Sequence, residues 1–594
     1  MRIEYKSKRI ERFTIAVNVI TGGLVAASFI LLFGFKEPVF SGPILHAAQL
    51  ALLTVFIVEE LVRAVNAAKI REYLRAFWYQ LPLSLGLIIV LIGAGRWFAV
   101  DSSELVRHAA VGVYLILQMV FRVCRTIVNL AASGQNPTRT LILSFLALVV
   151  VGAGILMLPR SVKGEELSFV DALFTSTSAV CVTGLVVRDT GKDFTLMGQG
   201  VILTLIQLGG LGIVTFGAIF ALLLGQALSV RESVAMQDLL SSQTAGRIGR
   251  ILAFIFVSTL VIEGVGALII FGMWNEVSGV TLPLEQRWWY SVFHSISAFC
   301  NAGFGLFDTS FTRYSGSWQL YAAICPLIIL GGLGFGVLFD LWRFFIEFLR
   351  RVFRRFFDPN GRLTARAPGR MQLQTKIVVT VSAVLIVVGA LLLYVLSRGA
   401  GYESTGGPMG VFEAFFQSIT ARTVGFNTVD IGSMGEAGRF VLMLLMFIGG
   451  SPGSTAGGIK TVTFVVLIMT AVAAIRKRSE VEIFRRAVRI VVVGRAITIT
   501  LLFIVVLFTA ILALSITEDG NGFTLSEIAF EATSALGTVG LTTGITGSLT
   551  SAGKLIIIIV MLIGRLGPLT LLAELTFNLK PAKFNYAEEA LIVG

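Results

Sequence analysis

The chain has 594 residues, of which 55% are hydrophobic and only 14% charged, with a formal net charge of +13. A mean hydropathy of +0.86 excludes a soluble multidomain protein and leaves a polytopic one whose main partner is the lipid bilayer. The positive balance does not point to nucleic acid, because the basic residues sit in loops between apolar runs rather than on one patch, as the positive-inside rule expects.

Arg2, Lys6, Lys8, Arg9 and Arg12 precede the first apolar run. No small-residue cleavage site follows that run, so an uncleaved first helix is expected. Apolar segments at about 13–34, 44–66, 79–100 and 107–131 make a four-helix membrane domain over 1–135. Arg63, Lys69, Arg71 and Arg75 place the second loop inside, and Arg122, Arg125 and Arg139 return the chain there. The acids Glu59 and Glu60, then Arg63 and the connector REYLRAFWYQLP, resemble the sensor domain of voltage-gated cation channels. The usual acid of the third helix is missing, however, and the fourth helix offers only Arg107, Arg122 and Arg125. One charge moved through the field is worth ~2.3 kcal/mol per 100 mV, so few arginines give shallow voltage dependence. A docking or stabilising domain is the plainer reading.

Four repeats follow, at 136–245, 246–370, 371–486 and 487–580, before a tail at 581–594. Each reads as a long apolar helix, a short amphiphilic segment rich in Ser, Thr and Ala, and a second apolar helix. The short segments are expected at Phe169–Val180, Trp288–Ala298, Val411–Thr420 and Leu525–Ala535. The second helices are expected at Leu196–Leu224, Trp318–Arg343, Gly438–Ile475 and Leu555–Phe577. The count is about 12 spanning helices with both termini cytoplasmic. The basic run Arg350, Arg351, Arg354, Arg355, Arg362, Arg366 and Arg370 ends the second repeat. Such a run is a solvated face or a contact for anionic lipid or a soluble partner.

Every short segment ends in a triplet closed by glycine: Val182-Thr183-Gly184, Asn301-Ala302-Gly303, Thr423-Val424-Gly425 and Thr538-Val539-Gly540, roughly 120 residues apart. Backbone can leave a helix at bilayer depth only where protein buries it or it lines a watery cavity. The T-V-G triplets match the start of the T-V-G-Y-G loop whose carbonyls replace an ion's hydration shell in potassium channels. An ion-binding filter without acidic side chains is therefore expected, with potassium as the transported ion.

Beyond each triplet the second helix carries glycine, at Gly209-Gly210, Gly331-Gly332, Gly449-Gly450 and Gly564. Close helix packing explains three of these. In the third, Gly449, Gly450, Ser451, Pro452, Gly453, Ser454, Thr455, Gly457 and Gly458 are too rich in breakers for an intact helix. A loop there, facing the aqueous path, reads as a gate, which Lys460 shapes unless it points to the cytoplasm. Arg565, deep in the last apolar run, costs ~2.5–3.5 kcal/mol to insert, and is expected to face the pore as a barrier to cations. Its alternative is an interhelical bond to a carbonyl. Arg422 either braces the third triplet or is an idle vestibule charge, and His294 is placed to bond nearby backbone. The three histidines and the cysteines Cys124, Cys181, Cys300 and Cys325 have no metal-ligand spacing, and no catalytic grouping is evident.

Together the triplets, GGSPGSTAGGIKT and GRLGPLT resemble the Trk/Ktr/HKT superfamily of potassium transporters over about 138–594. The resemblance implies an all-α integral membrane protein of the plasma membrane, with four pore repeats around one path and no organic cofactor. It also implies a gating third-repeat loop, a barrier at Arg565, and potassium preference from four filter glycines. The ending NYAEEALIVG resembles bacterial members that form homodimers on a ring of nucleotide-binding regulatory subunits. Two alternatives stay open. A sodium- or proton-coupled carrier would use ionisable groups such as Glu263, and a voltage-sensing protein with a vestigial pore would rest on the N-terminal block.

Overall fold

The computed structural model describes residues 5–37, 39–78, 80–97, 104, 106–119, 137–212, 248–274, 282–357, 371–399 and 408–567. Arg122, Arg125, Cys124, Arg362, Arg366, Arg370 and the tail 581–594 lie outside these residues.

The N-terminal block contains α1 (Lys8–Phe33), α2 (Gly42–Asn66), the short α3 (Ile70–Ala76), α4 (Gln80–Trp97) and α5 (Val106–Met119). Its core is small, built on Val25, Leu53, Phe56, Leu87 and Leu115. Arg63 forms an ion pair with Glu59 one turn earlier on the same helix, and Asn18 donates to that carboxylate at 3.3 Å. This block meets the rest of the chain where the Arg160 N–H donates to the Gly34 carbonyl at 3.0 Å.

Four units of one plan follow. The first is α6 (Pro137–Leu156), α7 (Phe169–Cys181) and α8 (Leu196–Leu211). The second is α9 (Ile248–Ile270), α10 (Leu284–Phe299), α11 (Leu320–Leu333) and α12 (Phe335–Phe357). The third is α13 (Leu373–Leu396), α14 (Val411–Thr420), α15 (Glu436–Phe447) and α16 (Thr461–Ile475). A hairpin of β1 (Val481–Ile483) and β2 (Arg486–Val488) leads to the fourth: α17 (Ile490–Thr517), α18 (Leu525–Gly537) and α19 (Ser551–Leu566).

The short helices α7, α10, α14 and α18 are the centre of the molecule. Each carries a fully buried phenylalanine at the matching place, Phe174, Phe293, Phe416 and Phe530. In three units a serine one turn or less further on is tied to the outer helix of its own unit. Ser176 donates to the Val149 carbonyl at 2.7 Å, Ser295 to Glu263 at 2.6 Å and Ser418 to Ile386 at 2.8 Å. Glycine on the outer helix makes room, since a Cβ at Gly152, Gly266 or Gly389 would overlap the serine hydroxyl.

Among the described residues five helices are long and apolar enough to cross a bilayer, or six if the bent pair α11–α12 is one span. The second helix of each unit, among the described residues, ends or breaks below the triplet. α8, α11 and α19 stop at Gly212, Gly334 and Gly567, with φ of +78°, +87° and +84°, a left-handed backbone that only glycine adopts freely. α12 leaves α11 at 107°. In the third unit residues 448–460 form the expected loop. The packing role expected of the glycines before these breaks is also met. A Cβ at Gly209, Gly331 or Gly564 would overlap the carbonyl of Val180, Phe299 or Leu536 at the end of the neighbouring short helix.

Candidate functional site: a four-part ring above an intramembrane loop

The four triplets meet in a closed ring. A Cβ added to Gly184 would overlap the Ala302 carbonyl, one on Gly303 that of Val424, one on Gly425 that of Val539, and one on Gly540 that of Thr183. Each unit thus touches the next, and the last touches the first. Asn301 adds a lateral bond, donating to Thr423 Oγ1 at 3.3 Å.

The backbone conformation repeats around the ring. Gly184, Gly303, Gly425 and Gly540 have φ of +88°, +68°, +95° and +90°. The first residue of each triplet is also left-handed: Val182 at +58°, Asn301 at +59°, Thr423 at +81° and Thr538 at +48°. Three of these are β-branched, for which such angles cost on the order of 1–3 kcal/mol each. The middle residue keeps negative φ, so the hand of the backbone alternates along each triplet.

The N–H groups of the middle residues are spent on the short helices. Thr183 and Val539 N–H donate to the Ser178 and Ser534 carbonyls at 2.8 Å, Ala302 to Ser297 at 2.7 Å, and Val424 to Thr420 at 3.0 Å. Gly184 and Gly540 N–H reach the hydroxyls of Ser178 and Ser534 at 3.1 and 3.0 Å. Among the described residues no hydrogen bond is drawn to the carbonyls of Thr183, Ala302, Val424 or Val539. The ring therefore presents unpaired peptide oxygens, at the negative C-terminal ends of four helices.

Support comes from behind and above. His294 donates Nδ1–H to the Tyr290 carbonyl at 2.8 Å and accepts the Leu306 N–H on Nε2 at 3.2 Å, the backbone role expected of it. Glu531, at the corresponding place in α18, takes hydrogen bonds from Thr542 and Thr546. At the rim the units are cross-braced in turn. Lys192 pairs with Asp308 at 2.6 Å, which holds that carboxyl below the usual carboxylate range. Phe311 N–H donates to the Asn427 carbonyl at 3.0 Å, Ser526 donates to Glu436, and Lys554 pairs with Asp171 at 2.8 Å.

Below the ring the third-unit loop packs against the second unit's break. Ser451 donates to the Gly332 carbonyl at 2.9 Å and also to that of Leu333, and Thr455 Oγ1 donates to Gly331 at 3.1 Å. Phe335 N–H, the first of α12, donates to Gly453 at 3.0 Å. Gly449 and Gly457 pack backbone on backbone, Gly457 also lies against Thr538, and Gly450 against the Gly332 carbonyl. Pro452 and Ser454 complete the turn, Ser454 donating to Ser451 at 2.7 Å, and Gly458 takes φ +66°. Lys460 folds back onto the Ala456 carbonyl at 2.7 Å, so it shapes the loop.

Arg565 is half-buried at this level. It donates to the Thr455 carbonyl of the loop and to the Gly209 carbonyl of α8 at 2.5 Å. The interhelical carbonyl bond raised as an alternative is therefore present, made in part with the loop itself. Arg422 is buried and lies 3.5 Å from the Gly449 carbonyl, between ring and loop. The sequence reading missed Ser178, Ser297, Ser534 and Glu531. The signal was available, because Ser-Ala stands six residues before the closing glycine in three units.

This arrangement defines the class: a multi-pass membrane protein of the pore-loop kind, in which one chain supplies all four quadrants. The family profile described as "TrkH: Cation transport protein" matches residues 109–585. The chain belongs to that family of transport proteins, which is not an enzyme family; α1 to α4 lie outside the match. It is 39% identical over 448 residues to "Ktr system potassium uptake protein B" of Bacillus subtilis (strain 168), covering 73% of this chain and 92% of that one. "Potassium/sodium uptake protein NtpJ" of Enterococcus hirae is 34% identical, with 77% and 97% covered. The crystal structure of the potassium transporter TrkH from Vibrio parahaemolyticus shares the fold at a TM-score of 0.56 and 18% identity, covering 85% of this chain and 98% of that one.

Proposed function

We propose that the chain takes up potassium across the plasma (inner) membrane by passive, gated conduction through the carbonyl ring. The supporting observation is the ring itself: four triplets in cyclic contact, the N–H groups of their middle residues bound to the short helices and, among the described residues, their middle carbonyls unpaired. Oxygens of that kind replace the hydration shell of a monovalent cation. Val182, Thr183, Gly184, Asn301, Ala302, Gly303, Thr423, Val424, Gly425, Thr538, Val539 and Gly540 would hold the ion.

Residues 449–458 are read as the gate and Arg565 as its latch and as a fixed charge against cations. Both termini are placed in the cytoplasm. The working unit is read as a homodimer on a ring of nucleotide-binding regulatory subunits, and the naming of the Bacillus relative as part of a system supports a multi-component assembly. The N-terminal block is read as a docking domain, since Arg63 is neutralised within its own helix.

Rubidium, potassium and sodium flux into liposomes containing the purified chain is the direct test. Gly425→Asp and Gly540→Asp should abolish potassium flux, and intact flux would sink the proposal. Shortening 451–457 should raise it. A coupled carrier is the second reading, favoured by the potassium/sodium name of the Enterococcus relative and by the buried carboxylates Glu263 and Glu531. A sodium or proton gradient driving potassium uphill would select it.

A further inference from the structure

The direction and composition of α12 are not explained by the transport path. It leaves α11 at Gly334 through a bend of 107°. Spanning helices tilt about 20° from the bilayer normal on average, so a helix turned by that angle runs close to the membrane plane. Its side chains divide to suit. At 3.6 residues per turn, Trp342, Phe345, Phe348, Leu349 and Val352 fall on one side, and Arg343, Glu347, Arg350 and Arg351 on the other.

The first two turns are anchored in protein. Phe335, Val337 and Leu338 are buried, and buried Asp340 accepts the Gln372 N–H at 3.1 Å and the Thr375 hydroxyl at 2.8 Å at the start of α13. Beyond them the apolar side is largely bare: Trp342 is 49%, Phe345 50% and Phe348 51% exposed. Arg343, Arg350 and Arg351 are exposed on the opposite side.

We propose that α12 is an in-plane amphipathic helix that seats its aromatic side in the inner leaflet, binds anionic phospholipid headgroups through Arg343, Arg350 and Arg351, and transmits that docking to the intramembrane loop. Apolar aromatics opposed to arginines are the composition of helices that lie in the interface. Covering by a second copy of this chain would hide the aromatics but offer the arginines no counter-charge. A leaflet rich in anionic lipid supplies both. The transmission runs through the helix start, where Phe335 N–H holds the Gly453 carbonyl and Ser451 holds that of Gly332. A change in the tilt of α12 pulls on the loop directly. This transmission, unlike the docking, rests on the loop being the gate.

The test uses the full chain with Phe348→Cys carrying a nitroxide, in a background lacking Cys124, in phosphatidylcholine vesicles with and without phosphatidylglycerol. The label should be accessible to oxygen and shielded from a water-soluble nickel chelate, more strongly with phosphatidylglycerol. Each cation near an anionic surface is worth about fivefold in partition, so R343Q/R350Q/R351Q should weaken the preference for anionic vesicles by tenfold or more. A label open to nickel in both vesicles overturns the docking. So does shielding indifferent to phosphatidylglycerol and to the arginines, the sign of a covering second copy. Rubidium flux should depend on phosphatidylglycerol severalfold in the native chain and not in the triple variant. A label that responds while native flux does not overturns the transmission. The chain shortened at 451–457, whose flux should rise in either lipid, separates that outcome from failure of the gate reading.

Discussion

The Arg565 guanidinium of the fourth unit is hydrogen-bonded to the Thr455 carbonyl of the third-unit loop. The same group reaches the Gly209 carbonyl of the first unit, so one charge fastens the loop to the two helices that flank it. A hydrogen bond to a charged group contributes about 1.5–3 kcal/mol. Arg565→Gln, which keeps a donor but loses the charge and the fork, should release the loop and raise basal potassium flux severalfold. Flux at the native level in liposomes would show that Arg565 holds helices together without restraining the path.

Ser534 fixes the fourth triplet by accepting the Gly540 N–H at 3.0 Å. Ser534→Ala leaves that buried N–H unpaired, at a cost of about 1–3 kcal/mol. The triplet should then relax, and the ratio of potassium to sodium flux should fall more than the potassium flux itself. Ser178→Ala, acting on Gly184, should behave alike.

Lys554 and Asp171 close the rim between the fourth and first units, and both are largely buried. Removing one partner leaves the other charge poorly compensated. Lys554→Met should lower the thermal midpoint by several degrees, and Lys554→Met with Asp171→Asn should recover part of the loss. A double variant no better than the sum of the singles would mean that the pair does not couple.

Glu531 gathers the hydroxyls of Thr542 and Thr546 in the segment that follows the fourth triplet. Glu531→Ala should loosen that segment, reducing both thermal stability and ion selectivity. Glu531→Gln keeps an acceptor and should retain most of each.

Much of the ring was legible because its determinants are local and recur. A glycine closes each triplet, and Ser-Ala precedes three of them at constant spacing, so the pattern stands out against an apolar background. The break at Gly449–Gly458 was legible for the same reason, with Pro452 and five glycines in ten residues. The breaks at Gly212, Gly334 and Gly567 were not. Each is a single left-handed glycine inside an apolar run, and hydropathy summed over a helix length is insensitive to one residue. Leu208-Gly209-Gly210-Leu211-Gly212 and Leu330-Gly331-Gly332-Leu333-Gly334 did carry the mark, an identical pentapeptide whose last glycine turns the chain. The bonds of Arg565 to Thr455 and Gly209 join residues more than a hundred positions apart, and only the fold brings them together.

Because the ring is assembled from one covalent strand, any substitution enters the throat once instead of four times over. The rim shows what this permits: two of its seams are salt bridges, one is a peptide hydrogen bond and one a carboxylate taking a hydroxyl. Screening by salt would loosen the first quadrant against the second, at the exposed pair of Lys192 and Asp308, while leaving the seam at Phe311 and Asn427 unchanged. Such a throat can be widened asymmetrically, a mode of adjustment closed to a channel made of four identical subunits.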